Sequence, residues 1–529
     1  MNRTSLLSTL LPALGLVPLV AACSSYDMEK SDDGAYSDSG YNSSEDGDWD
    51  GDGGGGSDDG DDWEPEEEDD FLALRPAPTD AYVFVANPAR DTVTRVSVPS
   101  LSVITTQVGN EPHVIATTSD YTKAVSFNRG SDTISIIDAG SLSVRDIAVR
   151  ENFNAMQMSP DGAWVACWYD AATADEIDQA TAGGAQSFNE VSFVRLADGA
   201  HFPMVVGFNP RDMRYTEEGN LGIVVSDAYL AIIDLTADEP LPIRLQISED
   251  LIDPPVAEEV LITPNGDFAM VRQFGADELV VVDLINLVVD RIPTGLNPTD
   301  LDATPDGLSA VAVARGSNEL WIYELADLFA EAQVIDVPES EVYGSVLMSP
   351  DGTQGLLYST ATGISRYASW NVASSEIEIH SLVKPVDRVG VNPTGTTALV
   401  FHDRNENDDV DEESPFYQEW GLTLVDMSDF FSNPLRLPSE PTAFDTTDDG
   451  ETGFFIMENE PYLEVLDFNT LLYDEVALKS IPVHIGVLPD TRTVYASQEH
   501  SLGRLSFYDP DSEQLQTITG FELNAGIED

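Results

Sequence analysis

The chain has 529 residues, 95 of them acidic and 24 basic, for a formal net charge of −71. Nucleic acid is excluded as a partner, because phosphate binding needs a basic face; contact of the body with anionic lipid headgroups is disfavoured for the same reason. Self-repulsion on this scale is screened by salt over about 10 Å at 0.1 M, so the surface suits a saline or divalent-rich medium.

Residues 1–22 open with Arg3, run through a mostly apolar stretch from Leu6 to Val20, and end in Ala21 and Ala22. A positive start, an apolar core and small residues at a cleavage point are the parts of a secretory signal. Pro12 and Pro18 interrupt the apolar stretch, which is shorter than the ~20 residues a spanning helix needs. The run Val20-Ala21-Ala22-Cys23 resembles the lipobox of bacterial lipoproteins. That resemblance implies that Cys23 becomes the first mature residue and carries lipid. Ser24 in the next position implies delivery to the outer membrane of the cell envelope. The membrane is then a partner through the anchor, each buried CH2 of an acyl chain contributing about 0.8 kcal/mol. A disulfide between Cys23 and Cys167 is the competing use of the only two cysteines, since exported proteins often pair them. Cys167 lies in AWVACWYD, a strand-like segment, and reads better as a small buried hydrophobe.

Residues 23–70 are dominated by Asp, Glu, Gly and Ser, as in SEDGDWDGDGGGGSDDGDD. Such a segment cannot bury enough apolar surface to offset its ordering entropy, and like charges extend it. It is expected to be a disordered acidic spacer between the anchor and a folded body, with weak calcium binding as a sharper alternative.

From Phe71 to Asp529 the chain repeats itself. The marker is a turn: SPDG at Ser159 and Ser349, TPNG at Thr263, TPDG at Thr304, NPTG at Asn392 and TDDG at Thr447. Weaker versions begin at Thr118, Thr216 and Leu488, and successive turns are roughly 41 to 57 residues apart. Pro, Asp and Gly each favour a tight connection between strands. After each turn comes a β-rich run such as KAVSFN, LGIVVSD or SAVAVARG, then a second run near an Asp such as TISIIDAGS, YLAIIDL or ELVVVDL. A third and a fourth follow, with alternation or Val/Ile enrichment proper to strands. A helical turn or two is expected only at LADLFAEA, Leu325 to Ala332.

Four strands per ~45-residue unit is the blade of a β-propeller, so residues 71–529 are expected to form an all-β propeller of eight to ten blades. The unit Glu278 to Gly316 and the strand YVFVAN, Tyr82 to Asn87, resemble the YVTN-type repeats of bacterial envelope propellers. The termini, FLALRPAPTD and GFELNAGIED, are candidates for strands that close the ring.

No haem-attachment, P-loop, nucleophile-elbow or zincin motif is present. Two places could carry chemistry. DRNENDDVDEES sets oxygen side chains at Asp403, Asn405, Asn407, Asp409 and Asp411, a pattern suited to calcium, which takes six to eight oxygens. It resembles the start of an EF-hand loop, but Asp408 stands where the turn Gly belongs and Ser414 where the bidentate Glu belongs. An acidic surface loop explains it equally well. The second is one aligned position, four residues before each turn, on the strand expected to line the channel. It holds Asp212, Glu259 and Asp300 in consecutive units, then Arg388 and His484, with Arg214, Asp302 and Asp445 two positions on. Such a set could bind a cation or orient a polar ligand, or be solvated charge around a water-filled channel. The insertion Asp170 to Glu190 is a third place where binding residues could concentrate.

Three functions are compatible with these features. An anchor, a spacer and the absence of a catalytic motif favour a non-catalytic envelope module that binds a protein or a glycan or serves as a scaffold. Likeness to other propellers leaves open a lactonase or dehydrogenase using Glu259, Asp300 and His484, and the acidic loops leave open a calcium-dependent adhesin.

Overall fold

The computed structural model describes residues 76–171, 174, 188–251, 254–273, 275–338, 343–360, 365–404, 410–523 and 527–528. The signal segment, Cys23 and the acidic spacer lie outside the described residues.

The repeat turn is built from its own side chains. In the first SPDG, Ser159 Oγ donates to Asp161 Oδ1 at 2.5 Å and accepts from the Trp164 amide at 2.9 Å. Gly162 takes φ +65°, where a side chain would be strained. The same pair of bonds recurs at Thr263 with Asn265, Thr304 with Asp306, Ser349 with Asp351 and Thr447 with Asp449. Each turn therefore satisfies a buried hydroxyl and reverses the chain between the first and second strands of a unit.

Among the described residues these units form ten antiparallel sheets, nine of four strands and one of five. We number them blades 1 to 10 in chain order, beginning at Ala77, Pro112, Ala155, Pro210, Ala257, Pro298, Ser345, Arg388, Pro441 and Pro482. Within each blade the strands pair in chain order. First strands of neighbouring blades touch one another, so they are the innermost. The second and third strands are buried almost throughout, as in Ser309–Ala314 and Glu278–Asp283, whereas fourth strands such as Glu376–Ser381 are largely exposed.

Ten apolar clusters hold the blades, and each spans two neighbours. Trp164, Phe193, Met213 and Val224 join blades 3 and 4, and Leu399, Phe401, Phe455 and Leu466 join blades 8 and 9. The tenth packs Val83, Val85 and Val96 of blade 1 on Tyr495, Leu505 and Phe507 of blade 10, so the ring is closed. The all-β propeller is thus as expected, with ten blades. The termini do not share a blade, however. Ala77–Pro78 is the inner strand of blade 1, and Ile527–Glu528 adds an outer strand to blade 10. Closure rests on side-chain packing, on the Tyr495 hydroxyl donating to the Pro76 carbonyl at 2.9 Å, and on Arg90 to Glu522 at 2.9 Å. Only Leu325–Asp327 of the LADLFAEA segment is helical, as a single 3-10 turn. Cys167 is buried in the cluster between blades 2 and 3 as a free thiol.

Alternating strand direction puts the Ser/Thr turns on one face. The connections between second and third strands, and those between blades, lie on the other. Asp170 and Asp403, which follow the second strands of blades 3 and 8, lie on that second face. Among the described residues no helix is long and apolar enough to cross a membrane.

Candidate functional site

The inner strands place the aligned position just beyond a register shift. Such a shift lies between Pro210 and Asp212, Ala257 and Glu259, Pro298 and Asp300, and Pro482 and His484. A bulge re-aims the side chain that follows it; the same shift precedes Val114 and Ala443 in blades 2 and 9, while none precedes Arg388.

The structure brings the consecutive carboxylates together and gives each a partner. Asp212 Oδ2 accepts from Arg214 Nε at 2.6 Å, and Glu259 Oε2 from Arg272 Nε at 3.0 Å. Asp300 Oδ2 accepts the Val346 amide of the next blade at 2.7 Å. Burial pushes Asp300 up to about 7, helped by the neighbouring charges of Glu259 and Asp302. Burial also raises Glu259, against the pull of Arg272, and it raises Asp302. Tyr358 closes the group: burial and then the Asp300 charge push its hydroxyl up to about 12. In this wall of blades 4 to 7 burial and the neighbouring carboxylates favour the protonated form of Asp300.

Arg388 and His484 stand apart from it, in blades 8 and 10. Arg388 donates to the Pro441 carbonyl at 2.9 Å and lies over the Phe401 ring at 5.2 Å. The His484 amide donates to Ser497 Oγ at 3.2 Å. Arg272 and Tyr358 are the members that the aligned position does not reveal. Arg272 had a signal, a charge inside the apolar run FAMVRQF; Tyr358 had none.

In the acidic loop, Asn405, Asn407 and Asp409 lie outside the described residues. Asp411 Oδ1 accepts the Glu413 amide at 2.9 Å, capping a local turn, and the Asp403 charge raises Asp387 after burial does. Among the described residues no three His, Cys, Asp or Glu side chains are grouped to hold a metal ion.

A second site lies on the long-loop face, where the insertion rejoins blade 3. Phe188, Asn189, Val205, Phe208, Tyr229 and Arg244 line a cleft of about 470 Å³ between blades 3 and 4. This is within the ~300–1,000 Å³ usual for ligand sites. Phe208 is 63% exposed and stacks on Phe188 at 6.1 Å between ring centroids, with the planes 26° apart. Tyr169 meets the edge of Phe188 at 5.1 Å.

No protein-family model and no curated protein matches the chain. Among solved structures it is similar to the dihydro-heme d1 dehydrogenase NirN in complex with DHE, at 13% identity and a TM-score of 0.44 over 75% of this chain and 73% of that one. It is also similar to a eukaryotic initiation factor, at 10% identity and a TM-score of 0.49 over 75% and 96% of the two chains. A third is the hydrazine synthase of Kuenenia stuttgartiensis, at 15% identity and a TM-score of 0.28 over 59% and 96%.

Proposed function

We propose that this protein is a lipid-anchored envelope propeller whose long-loop face binds a protein or glycan without catalysis. The observation that carries this reading is the cleft at blades 3 and 4. A large apolar ring, Phe208, is left 63% exposed there in a volume the size of a ligand, on the face that gathers the long connections. Buried aromatic anchors dominate binding energy in protein recognition. The Cys23 anchor and the acidic spacer would hold that face away from the membrane, and the YVTN-like repeats accord with an envelope setting.

Full-length protein in detergent, screened by thermal shift against glycans and envelope proteins, tests the reading. A ligand that raises the Tm of wild type and not of Phe208→Ala supports it. A ligand that raises both equally removes the cleft from the function. Lipid labelling that survives Cys23→Ala would remove the anchor.

The Asp300 carboxyl, raised by burial beside Glu259 and Asp302, favours a second reading, a hydrolytic propeller of lactonase type. General acid–base groups work best with a pKa near the operating pH. Turnover of a lactone that Asp300→Asn abolishes would put this reading first.

A further inference from the structure

We propose that the cleft between blades 3 and 4 binds a carboxylated sugar of an acidic polysaccharide; this rests on the reading above and names its ligand class. The cleft is held rigid from behind. The Asn209 amide donates to the Phe188 carbonyl at 2.6 Å and the Asp227 amide to the Phe208 carbonyl at 3.2 Å, so the main chain that carries both stacked rings is tied down. Ring faces carry negative charge and attract the weakly positive C–H face of a pyranose.

Asn189, Tyr229 and Arg244 line the cleft beside this platform, bringing it an amide, a phenol and a guanidinium. None of their side chains has a hydrogen-bond or ion-pair partner among the described residues. The neighbouring cation is already taken, because Arg211 Nε donates to Asp227 Oδ1 at 2.7 Å. Arg244 is therefore the available positive charge of the cleft, in a chain with 95 acidic and 24 basic residues. A guanidinium matches a carboxylate through two parallel hydrogen bonds. The amide and the phenol suit hydroxyls on the rim of the ring. A peptide would instead be expected to pair main chain with a strand edge, whereas here the offered groups are side-chain tips around an aromatic face. Repulsion from the acidic body is screened over about 8 Å at 0.15 M salt, so the contact with Arg244 decides locally.

The test is calorimetric titration of the full chain at 0.15 M NaCl with tetragalacturonate, its methyl ester, and an acidic proline-rich peptide. Wild type should bind tetragalacturonate about tenfold more tightly than the ester, the worth of one charge-assisted contact. Arg244→Ala should erase that preference, weakening tetragalacturonate more than the ester. Phe208→Ala should weaken both sugars together. Equal binding of acid and ester by wild type overturns the acidic class while leaving a glycan module standing. Binding of the peptide alone, sensitive to Phe208→Ala, overturns the sugar and keeps the protein-binding module. Binding of none of the three overturns this inference, while any other ligand lost in Phe208→Ala keeps the module. Circular dichroism of both exposed-site variants should match wild type; a lost spectrum in Phe208→Ala leaves Arg244→Ala as the deciding variant.

Discussion

The carboxylate of Asp300 accepts the amide of Val346 across a blade boundary at 2.7 Å, and Asp445 accepts that of Val487 in the same way at 2.8 Å. Inner-strand carboxylates are thus staples between successive blades as well as channel-lining charges. Asp300 holds the aligned position just after the register shift and Asp445 lies two residues further along its own inner strand, so two positions of that strand can reach the next blade.

Asp300→Asn should keep the staple, since an amide oxygen still accepts, and it should be more stable than wild type. Burial holds the Asp300 pKa up to about 7 in the folded state, while the unfolded chain ionises near the usual carboxylate value. As pH rises from about 4 to 7 the unfolded state loses its proton first, so wild-type stability falls across that window and the advantage of Asn grows. Asp300→Ala leaves the Val346 amide without its acceptor and should cost about 1–3 kcal/mol. Urea unfolding of the three proteins at pH 5 and pH 8 checks both statements.

How far the sequence carried the fold depended on burial. Ser309–Ala314 and Lys123–Asn128 are nearly all buried and read as strands from composition alone. Fourth strands such as Leu472–Ala477 and Glu376–Ser381 alternate weakly, because one face meets solvent and the other only the third strand. Asp212, Glu259 and Asp300 share one aligned position on adjacent inner strands, since the repeat fixes register. That position could not say that Arg272 and Val346 would engage two of them, because those partners come from another strand and another blade. The cleft was legible only as a long insertion; the stacking of Phe188 on Phe208 joins two loops whose approach is set by the packing of blades 3 and 4.

The ring seam is the weakest boundary to expect, because it is the one boundary between neighbouring blades that the chain does not itself bridge. Arg90, 40% exposed at its side chain, meets Glu522, 6% exposed. Arg90→Ala should cost about 1–2 kcal/mol, between the worth of an exposed pair and that of a buried one. Tyr495→Phe, which deletes the bond to the Pro76 carbonyl, should cost about 1 kcal/mol. Hydrogen exchange in the double variant should quicken first in blades 1 and 10; uniform quickening around the ring would show that the seam opens no earlier than the rest.

Glu464 is the odd residue of blade 9. It is 1% exposed, and its Oε2 has no hydrogen-bond partner among the described residues. Burial pushes its carboxyl up to about 7, and Glu475, directly opposite on the fourth strand, adds to this. Glu464→Gln should raise the Tm at pH 8 and make little difference near pH 3, where the carboxyl is protonated in both states. A Tm loss at pH 8 would show that the ionised carboxylate is satisfied in the blade.

His402 sets the opposite dependence. Its Nδ1 lies 2.7 Å from the Pro385 carbonyl and its Nε2 2.7 Å from Thr423 Oγ1. This is the pattern of a neutral ring that donates from Nδ1 and accepts at Nε2. Burial pushes its pKa down to about 4. As pH falls below about 6.5 the unfolded chain takes up a proton that the folded ring refuses, so stability is lost by up to ~1.4 kcal/mol per pH unit. Asp300 and Glu464 gain stability over much of the same window and mask this loss in wild type. The double variant Asp300→Asn, Glu464→Gln should therefore lose stability between pH 6.5 and 4.5 more steeply than wild type. His201 and His380, lowered by burial as well, contribute in the same direction. Adding His402→Gln should flatten the slope, and an unchanged slope would assign the loss to the other two histidines.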